Sequence, residues 1–203
     1  MPSPRFRPYR RTTAALLLAI GALSACISGA LAADFVQSEG SALTFSGSYQ
    51  GEAFHGQFPG FQTRFRFDPA DLGNARLDVT IPVAKATTKN DDYDGELRGS
   101  AFFDSAAFPQ ARYVATRFRA LGENRYAADG TLTLRGIGKP VTFTFTWTPG
   151  ANPTLVGGAV VKRLDFEVGG GDWADTTLIP NEIKVGTKVV FKAQTAAPQT
   201  AAP

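Results

Sequence analysis

The chain of 203 residues is poor in reactive side chains, with one Cys, one His and one Met. A single Cys excludes an intrachain disulfide framework and any Cys-rich zinc or iron–sulfur site. A single His leaves a serine or cysteine hydrolase only His55 as its base, and Ala53-Phe54-His55-Gly56 carries no nucleophile signature. Transition-metal ligands are equally scarce. Neither catalysis nor a metal nor a cofactor is expected. Nucleotide motifs also fail, because Gly138-Lys139 precedes Pro140 instead of Ser or Thr. Gly169-Gly170-Gly171 runs into Asp172-Trp173-Ala174-Asp175, which is no dinucleotide fingerprint. The acidic run Asn90 to Glu96 starts like a calcium loop, yet Ala101 stands where a bidentate Glu is required. It reads as a solvated loop capping a short helix.

Basic charge is missing too. The formal net charge is +3, but Arg5, Arg7, Arg10 and Arg11 all fall at the start and no acid precedes Asp34. Without residues 1–32 the chain has 17 Lys and Arg against 18 Asp and Glu, a net charge of −1. No nucleic-acid partner is expected of so neutral a surface. Residues 1–32 have the parts of a signal peptide: a basic start, an apolar run from Ala14 and the small-residue site Ala30-Leu31-Ala32. The expected location is therefore periplasmic. Leu23-Ser24-Ala25-Cys26 is similar to a lipobox, so a lipoprotein anchored through Cys26 is the alternative to cleavage after Ala32. At the other end, Gln194 to Pro198 is repeated as Gln199 to Pro203, a low-complexity tail expected to be disordered. One domain, 33–193, remains between them.

Apolar residues in alternation are what the chain has in quantity. Phe61, Thr63, Phe65 and Phe67 share one parity, as do Leu77, Val79, Ile81 and Val83, and Val141, Phe143, Phe145 and Trp147. Such period-two runs place one apolar face against a core. Further strands are expected near 42–49, 52–58, 112–120, 125–135, 155–167 and 183–192. Turns are expected at 68–71, 122–124 and 136–140. Asp91 to Phe108 resists a strand assignment and reads as one or two short helices. About 160 residues in roughly eight or nine antiparallel strands suit a closed barrel better than an immunoglobulin-type sandwich. Closure also removes exposed strand edges. An eight-stranded barrel interior is either packed with side chains or holds one small ligand, and periodicity does not choose between the two.

Several segments resemble the YceI-like family of secreted, lipocalin-like barrels. Leu97-Arg98-Gly99-Ser100-Ala101-Phe102-Phe103-Asp104, continuing to Phe108-Pro109, is similar to that family's FFD-containing segment. Gly130-Thr131-Leu132-Thr133-Leu134-Arg135-Gly136 with Lys139-Pro140-Val141, and Arg163-Leu164-Asp165-Phe166, resemble two later segments. The family's usual opening, with Asp, Pro and His, is replaced by Ser38-Glu39-Gly40-Ser41. The resemblance implies an extended antiparallel eight-stranded lipocalin-like β-barrel that binds a polyisoprenoid, such as a quinone tail, or another long-chain lipid. Interior candidates for that ligand are Phe65, Phe67, Val79, Ile81, Phe118, Leu132, Leu134, Phe143, Phe145, Trp147 and Phe166, with Phe102 and Phe103 closing one end. Arg98 and Arg163 are candidates to meet a headgroup, an ion pair with a neighbouring Asp being their plainer role. A peripheral membrane contact and a homodimer are further expectations. The alternative function is a structural or accessory interaction protein with a solid core.

Overall fold

Alternation of apolar and polar residues becomes strand pairing throughout residues 33–193, the part of the chain that this computed structural model describes. The expected signal peptide, Cys26 and the repeated tail lie outside the described residues. Ten strands and one α-helix follow in order: β1 (Ala33–Gln37), β2 (Ala42–Tyr49), β3 (Glu52–Gln57), β4 (Gln62–Phe67), β5 (Arg76–Pro82), α1 (Asp91–Arg98), β6 (Gln110–Gly122), β7 (Arg125–Leu134), β8 (Ile137–Thr148), β9 (Thr154–Lys162) and β10 (Glu182–Ala193). Every pairing among them is antiparallel.

The ten strands make eight staves. β10 pairs with β1 through Phe191 to Ala193 and with β2 through Lys184 to Lys188, so β1 and β2 lie end to end along it. β1 then pairs with β4 while β2 pairs with β3, which makes β3 and β4 a second broken stave. The order β4-β5-β6-β7-β8-β9-β10-β1 closes on itself. The two breaks are built, not frayed. At the first, Gly40 takes φ +81°, and the Ser41 hydroxyl donates to Ser38 O (2.7 Å) and accepts from Val190 N (3.0 Å). Such a positive φ costs a residue with a Cβ more than it costs glycine.

Several sequence expectations need correction. The strand expected over 155–167 ends at Lys162, because Arg163–Phe166 coils into a 3-10 turn. The turn expected over 136–140 is tighter, at Arg135-Gly136, and β8 already begins at Ile137. Pro140 is tolerated inside β8 because pairing with β9 starts only at Thr144, so the proline has one strand neighbour. Residues 91–108 agree with the expectation of one or two short helices: they give one, followed by turns in which Phe103 N donates to Leu97 O and Asp104 N to Gly99 O. β1 was not anticipated at all, although its five residues complete the closure. In β6 the register shifts between Ala115 and Arg117, and this bulge at Thr116 lets Ala115 and Phe118 both face inward.

One half of the barrel is solid. Phe65 is 1% exposed, and its ring centroid lies 4.8 Å from Phe67, 5.8 Å from Phe145, 5.6 Å from Trp147 and 5.6 Å from Phe191. Phe35, Phe118 and Tyr126 extend the same cluster. Each aromatic pair adds about 0.5–1.5 kcal/mol beyond its burial. Glycines on adjacent strands sit tight against their neighbours: a Cβ on Gly157 would strike Thr144 O and the Phe145 Cβ, and one on Gly130 would lie 2.7 Å from the Tyr113 ring. We expect Phe65→Ala to cost about 3–5 kcal/mol in urea unfolding, since it empties the centre of this cluster. A loss below about 1 kcal/mol would show that the aromatic end is loosely packed.

Candidate functional site

Beyond the aromatic cluster the interior is hollow, in two chambers. The inner one, about 130 Å³, is lined by Val79, Ile81, Leu132, Val141, Phe143 and Val185, with Tyr113 and Thr63 beside them. The outer one, about 530 Å³, is lined by Phe45, Tyr49, Phe54, Phe102, Val161, Trp173 and Ile183 among others. Phe58, Phe103 and Leu134 line both and form the waist between them. A few hundred cubic ångströms is the size of a small-molecule site.

The outer wall owes its shape to three local devices. β2 and β3 supply Phe45 and Phe54, 6.3 Å apart, and the Phe45 ring rests directly on Gly56, where a Cβ could not fit. Helix α1 supplies Asp92, Tyr93, Glu96 and Leu97. Its start is capped by Asn90, whose Oδ1 accepts from Asp92 N (3.0 Å) and Tyr93 N (3.2 Å). Its other tether is the buried carboxylate Asp94, which accepts from Thr88 N (2.6 Å) and Thr88 Oγ1 (2.8 Å). Burial pushes the Asp94 carboxyl up, but hydrogen bonds from Thr87 and Thr88 outweigh it and hold the group below its ordinary value.

The third device is Arg163, only 3% exposed. Its Nε donates to Pro180 O (3.2 Å), Nη1 to Val168 O (3.0 Å) and Gly169 O (2.5 Å), and Nη2 to Trp173 O and Ile179 O (both 2.8 Å). No aspartate takes part, which corrects the expected ion pair. Five carbonyls occupy the five N–H donors of a guanidinium, and burial lowers its pKa. The Gly169–Gly171 segment is shaped around this group: Gly169 has φ +66°, and a Cβ there would lie 2.6 Å from Arg163 Nη1. Arg163 therefore folds the loop that presents Trp173, whose ring lies 5.4 Å from Phe102 and 6.2 Å from Tyr49. Arg135 acts likewise on the 100–102 turn, donating from Nη1 to Ser100 O (2.7 Å) and Phe102 O (2.5 Å).

The residues singled out from sequence divide cleanly. Val79, Ile81, Leu132, Leu134 and Phe143 line the inner chamber, and Phe102, Phe103 and Leu134 the outer. Phe65, Phe67, Phe118, Phe145 and Trp147 face inward but belong to the solid end. Phe166, 1% exposed, packs in the second core cluster behind the outer chamber. Arg98 is exposed at the end of α1, and the ion pairs among the described residues are made by Arg66, Arg76, Arg112 and Arg119. His55 is exposed on β3. Phe45, Tyr49, Phe54, Phe58 and Trp173 escaped sequence reading. The alternation Leu43, Phe45, Gly47, Tyr49 carried a signal, diluted by the glycine.

A family model described as the YceI-like domain matches residues 35–191. The chain belongs to the YceI-like family. A UPF0312 protein of Pseudomonas savastanoi pv. phaseolicola is 31% identical over 142 residues, 68% of this chain and 73% of its own length. One from Yersinia pestis is 32% identical over 157 residues, 75% of this chain and 79% of its own. Among solved YceI-like folds, Burkholderia cenocepacia BcnA superposes with a TM-score of 0.71 at 30% identity, covering 74% of this chain and 95% of that one. A domain from Saccharophagus degradans, described as polyisoprenoid-binding, shares the fold with a TM-score of 0.62 at 14% identity, covering 81% of this chain and 99% of its own.

The lowered Asp94 pKa gives the docking of α1 a pH dependence. A carboxyl depressed in the folded state stabilises it above the unfolded value of about 4, and that contribution fades as pH falls through the folded value. The melting-temperature gap between the wild type and Asp94→Asn is expected to be open at pH 7 and to close towards pH 3. A gap of constant size would show that the charge on Asp94 contributes nothing.

Proposed function

We propose that this protein is an exported, periplasmic binding protein, not an enzyme, which holds a long apolar or amphiphilic molecule of the polyisoprenoid or quinone-tail type inside its barrel. One observation carries the reading: two apolar chambers meet at Phe58, Phe103 and Leu134 in a barrel whose far end is packed solid. A tail entering past Trp173 and Tyr93 crosses that waist and ends in the inner chamber against Phe143 and Tyr113. Burial drives the binding, at roughly 25 cal/mol per Å² of apolar surface, or about 0.8 kcal/mol per methylene. Flexible, unbranched or regularly branched tails suit a narrow path of this kind. The relative from Saccharophagus degradans supports the ligand class through its description, and the shared fold supports the mode of holding it. A near-neutral surface and a signal-like start support a periplasmic carrier.

Gentle purification followed by solvent extraction and mass spectrometry should recover a bound isoprenoid from the wild type. Ala159→Phe projects a ring into the inner chamber, and its lipid complement should shift to shorter tails while strand content stays unchanged. An empty wild-type extract, together with no uptake of added short-chain quinone, would contradict the proposal.

A further inference from the structure

The two chambers differ in what they offer a polar atom. The inner chamber is apolar throughout apart from Thr63, Tyr113 and Thr187. Tyr113 Oη already donates to Ala128 O (2.7 Å), and Thr187 Oγ1 to Ala42 O (2.8 Å), which leaves the buried Thr63 Oγ1 as the single neutral group there without a partner. A tail suits this end and a headgroup belongs in the outer chamber. There the charged lining consists of Asp92, Glu96 and Arg163.

That trio is biased towards one sign. Arg163 is the one cation of the lining, and its five N–H donors are committed to five backbone carbonyls. An anion that took any of these donors would leave a buried carbonyl unpaired, at a cost of about 1–3 kcal/mol each. Arg163 is thus a structural centre and has no free donor for a phosphate. Asp92 and Glu96 stand four residues apart on α1, one helical turn, so both project to the same side. Carboxylates accept hydrogen bonds and repel anions. The remaining polar groups of the outer lining are the Thr88, Tyr49 and Tyr93 hydroxyls and the indole N–H of Trp173. Thr88 Oγ1 already donates to Asp94 (2.8 Å), and the others are neutral.

Resting on the lipid-binding reading above, we infer that the outer chamber selects an uncharged headgroup, of the alcohol or quinone kind, and discriminates against prenyl phosphates and pyrophosphates. A phosphate seated there would bring one to two negative charges beside two carboxylates, with no free cation in the lining to answer them. A hydroxyl head donates to Asp92 or Glu96, a quinone carbonyl accepts from Tyr49, Tyr93 or Trp173, and both leave the Arg163 network intact. Because Asp92 and Glu96 are themselves exposed, water and salt soften the repulsion, and the discrimination is moderate. The missing cation strengthens it.

The test compares farnesol with farnesyl phosphate, and geranylgeraniol with its phosphate, titrated below their critical micelle concentrations and followed by tryptophan fluorescence. Each alcohol is expected to bind about tenfold or more tightly than its phosphate at low salt. The double variant Asp92→Asn/Glu96→Gln should narrow that ratio by strengthening the phosphate arm, with the alcohol little changed. Phosphates that bind as tightly as alcohols, or more tightly, overturn the inference and leave the lipid-binding reading standing. A ratio unmoved by the double variant overturns the role given to the two carboxylates. If neither alcohol nor phosphate binds, the reading on which the inference rests falls with it.

Discussion

Packing around Phe65 decides what the rest of the barrel can do. An eight-staved barrel encloses little space, and a row of aromatic rings suffices to fill it. Here the rings of Phe35, Phe65, Phe67, Phe118, Tyr126, Phe145, Trp147 and Phe191 crowd into one end. Concentrating core volume there frees the opposite end from the duty of holding the fold together. A chamber can then persist where smaller side chains such as Val79, Val141 and Val185 point inward. Stability and capacity are thus divided along the barrel axis.

The open end is finished by loops, and buried polar groups hold those loops in shape. Arg163 gathers five carbonyls from residues 168–180, Arg135 clamps the 100–102 turn, and Asp94 ties α1 to Thr88. A buried charge is tolerable only when its hydrogen bonds are met, and Arg163 meets that requirement with backbone alone, while Asp94 uses the backbone N–H and the hydroxyl of Thr88. The ion pairs Arg66–Asp34, Arg112–Asp78 and Arg119–Asp129 join neighbouring strands among β1, β4, β5, β6 and β7. On these exposed sites the arginine pKa values rise and those of Asp78 and Asp129 fall, as paired charges require.

The barrel was legible in the sequence because period-two alternation is a direct consequence of strand geometry. Phe61 to Phe67, Leu77 to Val83 and Val141 to Trp147 all proved to be inward faces, and the resemblance in residues 97–109 and 130–141 agreed with them. What alternation does not encode is depth. Phe65 and Phe143 share a parity rule, yet Phe65 is in the solid end and Phe143 lines the inner chamber, since only the stagger between staves sets height along the axis. Arg163 illustrates a second limit. Its neighbour Asp165 invited an ion pair, whereas the carbonyls it binds come from residues up to 17 positions away along the chain. The short β1 carried too few residues for a periodic signal, and Thr116 shifted the parity of β6 without any Gly or Pro to mark the place.

The central claim is a divided interior, solid at one end and occupied by an apolar tail at the other. A crystal structure of the protein purified without delipidation tests it most directly. The account predicts elongated density running from beside Trp173, between Phe58 and Phe103, into the space enclosed by Val79, Leu132 and Phe143, and stopping at the aromatic cluster. Side chains collapsed across the waist, with both chambers filled and no elongated density between them, would contradict it.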